Sequence, residues 1–148
     1  MLNQDFKEIL SAFIEEKVEF LVVGGYAMAF HGYVRATGDI DLWIHCSDEN
    51  ARRVWRALQA FGAPLFDLNI EDLKTLGMVF QIGLVPNRID VITQIDGVEF
   101  EDAWKEHKTV EIEGLQIPVI GKTQLLINKK STSRAKDRND ALWLQDEQ

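Results

Sequence analysis

The stretch "FLVVGGYAMAFHGYVRATGDIDLWIH", residues 20–45, decides the reading of this chain. It begins as an apolar run that stops at Gly24-Gly25 and continues through a segment with helical character. It ends in a second apolar run interrupted by two carboxylates, Asp39 and Asp41. On a strand, residues i and i+2 share a face. Asp39, Asp41 and Trp43 therefore point one way, while Ile40, Leu42 and Ile44 point into the core. The two aspartate Cα atoms are about 7 Å apart from strand rise alone. Carboxylates so close together in an apolar strand are unfavourable without a compensating charge.

The segment "RIDVI", residues 88–92, repeats the pattern, with Asp90 between Ile89 and Val91. If the two strands are neighbours, Asp90 adds a third acid to the same face. Three such side chains suit one or two divalent cations, Mg²⁺ or Mn²⁺. Gly24 and Gly25, placed between a buried strand and a helix, permit unusual dihedrals and close approach of a phosphate to the backbone.

The rest of the chain fits an α/β (α+β) fold with a mixed β-sheet flanked by helices and with C-terminal helices. Phe6, Ile9, Leu10, Phe13 and Ile14 recur at helical spacing in residues 3–17. Residues 18–25 form the first buried strand, a short helix follows over Tyr26 to His31, and "DIDLWIH" is the second strand. Residues 48–62 read as a helix with Ser47 or Asp48 as N-cap and Gly62 as its stop, and "IEDLKTLG" as another short helix. "MVFQIGL" and "NRIDVITQI" are two strands joined by a turn at Pro86-Asn87. "VEFEDAWKEH" is a short helix or an irregular segment. "KTVEIEGLQIPVI" is a hairpin around Glu113-Gly114, with Pro118 pointing to an edge position. Helices over residues 121–130 and 134–145 close the chain. No repeat or linker interrupts it, so residues 1–148 are expected to form one domain.

Composition narrows the function. The 148 residues carry 24 acidic and 16 basic side chains, a net charge of −8, which argues against broad electrostatic capture of nucleic acid. The sign is uneven: residues 122–148 hold six basic and four acidic side chains, against ten and twenty before them. An acidic body with a local basic patch suits a metal and polyphosphate site. No apolar run approaches bilayer length, and acids stand where a signal peptide carries bases, so no membrane association and a cytoplasmic location are expected. Cys46 is the only cysteine; it reads as a small buried residue at a strand end rather than as a zinc ligand. "GKT" at 121–123 lacks the earlier glycine of a P-loop, so Gly121 is read as a turn before a helix. His31 is read as packing at a helix end. The tryptophans are read as core or interface residues, with Trp43 able to border a base pocket because it shares the aspartates' face.

On these residues the chain resembles the nucleotidyltransferase superfamily, which includes DNA polymerase beta, the minimal nucleotidyltransferases and the AbiEii-like toxins of abortive-infection systems. That pattern is a strand ending in Gly-Gly or Gly-Ser, then Asp-x-Asp, then a third acid on a later strand. Here it is met by Gly24, Gly25, Asp39, Asp41 and Asp90, with thirteen residues between Gly25 and Asp39. Arg35, Thr37 and the closing segment "LLINKKSTSRAKDRNDALWL" are similar to one bacterial and archaeal branch. Many active members carry Ser where Gly25 stands, so phosphate binding here would fall to backbone N–H groups.

The resemblance implies transfer of a nucleoside monophosphate from an NTP to a hydroxyl of RNA, protein or a small molecule. Asp39, Asp41 and Asp90 would be the catalytic metal ligands; Gly24, Gly25, Arg35, Thr37 and Lys129 would bind nucleotide, with Lys130 the rival of Lys129. It also suggests a toxin–antitoxin role. The small size allows a different reading, a catalytically weak binding module that acts with a small protein partner.

Overall fold

The computed structural model of the chain describes residues 2–33 and 37–146. In chain order the elements are α1 (Gln4–Glu15), β1 (Phe20–Val23), α2 (Gly24–Phe30), β2 (Ile40–Ile44), α3 (Asp48–Phe61), a 3₁₀ turn (Ile70–Lys74), β3 (Val79–Ile82), β4 (Ile89–Ile92), α4 (Phe100–Lys105), β5 (Lys108–Ile112), β6 (Leu115–Val119), α5 (Lys122–Lys130) and α6 (Ala135–Asp146). The strands form one six-stranded sheet in the order β3-β4-β2-β1-β6-β5. It is mixed: β2 runs parallel to β4, and β1 parallel to β6, while the other pairings are antiparallel. The architecture is the mixed α/β sheet with closing helices that the sequence indicates.

Local chemistry sets the boundaries. Asn3 caps α1 by accepting from the Phe6 N–H at 2.8 Å, and Phe6, Ile9, Leu10 and Phe13 form its buried stripe. Ser47, not Asp48, caps α3 by accepting from the Asn50 N–H; Gly62 ends that helix with φ +91°, a left-handed conformation that favours glycine. Residues 98–107, readable as helix or irregular, contain the helix α4. The first strand is shorter than the apolar run suggests, because Gly24 and Gly25 already belong to α2.

One expectation is corrected. Pro118 lies on β6, which sits between β1 and β5 rather than at an edge. The placement is tolerable because β6 pairs with β1 only around Val22 and Val119, so little of a ladder is lost. Trp43 lines a cavity of about 560 Å³ with His45, Thr93 and Phe100, and none of the three aspartates is in its lining. Trp43 is 2% exposed and packs edge-on against Phe100 of α4, ring centroids 5.0 Å apart. Both sides of β2 are thus covered, and Asp41 is the polar interruption in a strand that is otherwise interior.

The sheet is pinned at the far end of β2. Asn50, 1% exposed in the first turn of α3, accepts from the Glu19 N–H at 2.7 Å and donates to the Glu19 and His45 carbonyls at 3.0 and 2.8 Å. His45 is further held between Glu19 and Glu101, at 2.7 and 3.0 Å. His31 packs at the end of α2 with its Nε2 2.6 Å from the Ile120 carbonyl, and Gly121 is the turn that opens α5. Cys46 is half-buried just past β2. Replacing Asn50 by Ala removes three hydrogen bonds and strands the Glu19 N–H. Urea denaturation should show a loss of about 2–3 kcal/mol, with an unchanged denaturant slope.

Candidate active site

Three strand ends meet at one place. The register sets Val23 of β1 opposite Asp41 of β2, and Asp41 opposite Asp90 of β4. Because β1 is antiparallel to β2 and β4 is parallel to it, the chain leaves β1 at Gly24 where β2 and β4 begin. Asp39 lies immediately ahead of β2, and Thr37 two residues earlier in the same loop, half-buried. Arg35 lies outside the described residues. The strand pattern thus brings Asp39, Asp41, Asp90 and the Gly24 turn together.

Gly24 shows how closely the two motifs are joined. It has φ +69°, and a Cβ added there would fall 2.2 Å from the Asp41 carboxylate oxygen Oδ2. The Asp41 carboxylate therefore rests against the bare backbone of the turn, and a side chain at position 24 would be strained and would force the carboxylate to move. The first turn of α2 has no side-chain cap, and Gly25 is buried within it.

A residue that the strand pattern could have revealed completes the cluster. Arg88 stands two positions before Asp90, hence on its face. Its guanidinium grips Asp90 in a fork, Nε to Oδ1 at 2.7 Å and Nη2 to Oδ2 at 3.0 Å, while Nη2 lies 3.2 Å from Asp39 Oδ2. The Arg88 backbone joins in: its N–H donates to Asp39 Oδ1 at 3.0 Å, and its carbonyl accepts from the Ile40 N–H at 3.0 Å. Asp41 is left with the least compensation. Burial first, then the charge of Asp90, a hydrogen bond with its carboxylate, and the charge of Asp39 push the Asp41 carboxyl up to about 7; Lys129 partly opposes this. Among the described residues no group of three or more His, Cys, Asp or Glu side chains is arranged to hold a metal ion. At the triad the cation is Arg88.

Lys129 is close enough to lower the Asp41 proton affinity, and it borders a cavity of about 200 Å³ together with Gly24, Ile92, Gln94, Thr132 and Arg134. It is 4% exposed and shared by Asp137 and Asp140, each at 3.1 Å. Lys130, its rival, is exposed. Asp137 also accepts from Thr132 at 2.6 Å and Arg134 at 2.7 Å. Burial raises the affinity of Asp137 for a proton, but these bonds and Lys129 together outweigh it and bring its pKa down to about 2. Asp140, absent from the sequence reading, shares a stripe with Asp137, Ala141 and Leu144, all buried. Acids at i and i+3 in a helical core stripe are the signal that could have found it.

The chain belongs to a family of nucleotidyltransferases of unknown function, DUF6036, whose model matches residues 1–145. Among solved structures it is similar to TM1012 of Thermotoga maritima, a proposed nucleotidyltransferase with a 1.87 Å crystal structure. The TM-score is 0.62 at 17% identity, over 97% of this chain and 91% of that one. At that identity the likeness establishes a shared fold. Comparison with curated proteins gives no match.

Three outcomes follow for stability. Without divalent cations, folded Asp41 keeps its proton to about pH 7, whereas the unfolded chain loses it near 3.8. Between these values the folded state binds more protons, so stability falls as pH rises from about 4 to about 7 and then levels. Asp41→Asn should flatten that slope in urea midpoints measured across the window. Asp137 has the opposite sign: its contribution is full above about pH 4 and fades as pH falls toward 2. Asp140→Ala, which leaves the buried Lys129 with one carboxylate, should lower stability by about 2–4 kcal/mol in thermal or urea unfolding.

Proposed function

We propose that this chain is a metal-dependent nucleotidyltransferase, a single nucleotidyltransferase-like domain that moves a nucleoside monophosphate from an NTP to a hydroxyl. The observation that carries the reading is the convergence of Asp39, Asp41 and Asp90 from two adjacent parallel strands beneath the Gly24 turn. Only oxygen donors are present, which suits Mg²⁺ or Mn²⁺ over softer metals. The turn is bare where a side chain would collide with Asp41, and the raised proton affinity of Asp41 marks a carboxylate short of positive charge. The donor chemistry is that of a hard divalent cation, while Arg88 holds two of the three carboxylates in this structure.

In this reading Asp39, Asp41 and Asp90 would hold the metal, which would supply charge neutralisation for the polyphosphate and for the attacking hydroxyl. Asp90 also receives the proton of that hydroxyl. Gly24 and Gly25 offer backbone N–H groups to the phosphates, with Thr37 and Arg35 in the adjoining loop. Lys129 stabilises phosphate charge from the far side of the small cavity, held in place by Asp137 and Asp140. The acceptor is RNA, protein or a small molecule. A toxin–antitoxin setting belongs to this reading through resemblance, and a cytoplasmic location is the expectation from composition. No helix of the described residues is long and apolar enough to cross a membrane.

A second reading, a catalytically weak binding module acting with a protein partner, is favoured by one specific observation. Among the described residues, two side-chain cations beside the acids are already engaged, Arg88 with Asp39 and Asp90, and Lys129 with Asp137 and Asp140.

Incubation with Mg²⁺ or Mn²⁺ and each labelled NTP, with total tRNA and candidate proteins as acceptors, separates the two. Transfer of label, reduced about 100-fold or more in an Asp39→Ala/Asp41→Ala variant, is the expected result. NTP binding by calorimetry without transfer selects the binding module. Absence of NTP binding with metal present refutes both.

A further inference from the structure

We propose that the free edge of β3 pairs with the same edge of a second copy of this chain, antiparallel and about a two-fold axis at Phe80, doubling the six-stranded sheet. Such pairing does not depend on whether nucleotide binds at the strand-end acids.

The two edges of the sheet differ in kind. At one, β5 exposes Lys108, Thr109 and Glu111, and charges of this sort keep an edge from recruiting another strand. At the other, β3 has no such guard. Residues 75–87 carry no charged side chain, in a chain where 27% are charged, and Leu76, Val79, Leu84 and Val85 are each more than half exposed there. The backbone of this edge is also unspent. The Thr93 N–H donates to the Met78 carbonyl at 3.0 Å, so Met78, Phe80 and Ile82 are the positions bonded to β4. Alternation then turns the N–H and C=O groups of Val79 and Gln81 outward, and both residues are exposed.

Charge decides what occupies the edge. A two-fold interface sets a patch against itself, so any charge within it lies close to its like. An uncharged edge is what self-pairing needs, whereas a basic partner, the kind that a net charge of −8 attracts, finds nothing to pair with here. With the axis at Phe80, Val79 stands opposite the partner's Gln81, and Gln81 opposite the partner's Val79, each pair exchanging both its N–H···O bonds. Phe80 meets the partner's Phe80 on the other face, between Met78 and Ile82 of the two copies. Counting outward, exposed Leu76 falls opposite the partner's Leu84 at both ends. Gln81 lies opposite Asp90, so both acid clusters open on the same face of the joined sheet, with the two β4 strands about 14 Å apart.

The test is sedimentation velocity of the full chain over a range of concentrations. A reversible dimer with a Kd of about 10–100 µM is expected, as befits a small interface. Charge then reports the register. The Val79→Lys/Gln81→Lys chain and the Val79→Glu/Gln81→Glu chain should each self-associate about tenfold or more weakly, because like charges face each other across both pairs. An equimolar mixture of the two should recover a dimer within about threefold of the wild-type Kd. Variants that merely disturb β3 would not rescue each other. Circular dichroism monitors folding. If either variant does not fold, amide hydrogen exchange of the wild type decides instead: protection of the Val79 and Gln81 N–H groups should fall about fourfold on dilution from well above the Kd to well below it. Wild-type protein that stays monomeric to about 500 µM overturns the pairing. So does a dimer undiminished in both charged variants, or exchange at Val79 and Gln81 that ignores concentration.

Discussion

Repulsion among carboxylates at one end of the sheet governs this molecule. Asp41 and Asp90 are direct partners across parallel strands, with Asp39 beside them, and the strands that carry them are interior to the fold. Nothing in strand pairing favours such a meeting; hydrophobic residues at positions 41 and 90 would pack there at lower cost. The surroundings read as responses to that crowding. Gly24 gives way to the Asp41 carboxylate, Arg88 forks onto Asp90, and the proton affinity of Asp41 rises. Stability has been set aside for a concentration of negative charge, which Arg88 offsets at Asp39 and Asp90.

The C-terminal helices answer a related constraint. Lys129 is buried beside the site, and a lone ammonium there would be prohibitive. Asp137 and Asp140 of α6 enclose it, with Thr132 and Arg134 completing the bonds of Asp137. The ionic cluster thus does two things at once: it docks α6 on α5, and it fixes the position of a positive charge near the acids. A network with every member bonded can be rigid where a single pair would be loose.

The outline of all this was legible in the sequence because the relevant signals are periodic. Alternation over residues 39–45 and 88–92 placed three acids on one side of two strands, and the helical stripe in residues 3–17 matches the buried face of α1. Other features lay beyond reach for physical reasons. The interior place of β6 depends on partners distant in sequence, so a proline that suggests an edge misleads. Trp43 is buried because α4 happens to cross it, and no pattern within β2 reveals what covers its second face. Arg88 is instructive in a different way: its position two residues before Asp90 was readable, but only a structure shows that its charge turns inward instead of toward water. Asp140 was hidden among helix acids that are ordinarily solvated.

The Asn50 clamp bears on how such a site can work. A one-residue slip of β2 against β1 would turn Asp41 into the apolar core and bring Ile40 or Leu42 to the active face. Asn50 binds backbone groups of Glu19 and His45, at the start of one strand and the end of the other, so slippage breaks its bonds at once. The sheet therefore behaves as a vice closed at the end remote from the acids. Freedom to rearrange is left to side chains and turns at the open end, with the strands serving as a fixed ruler that keeps the carboxylate spacing constant.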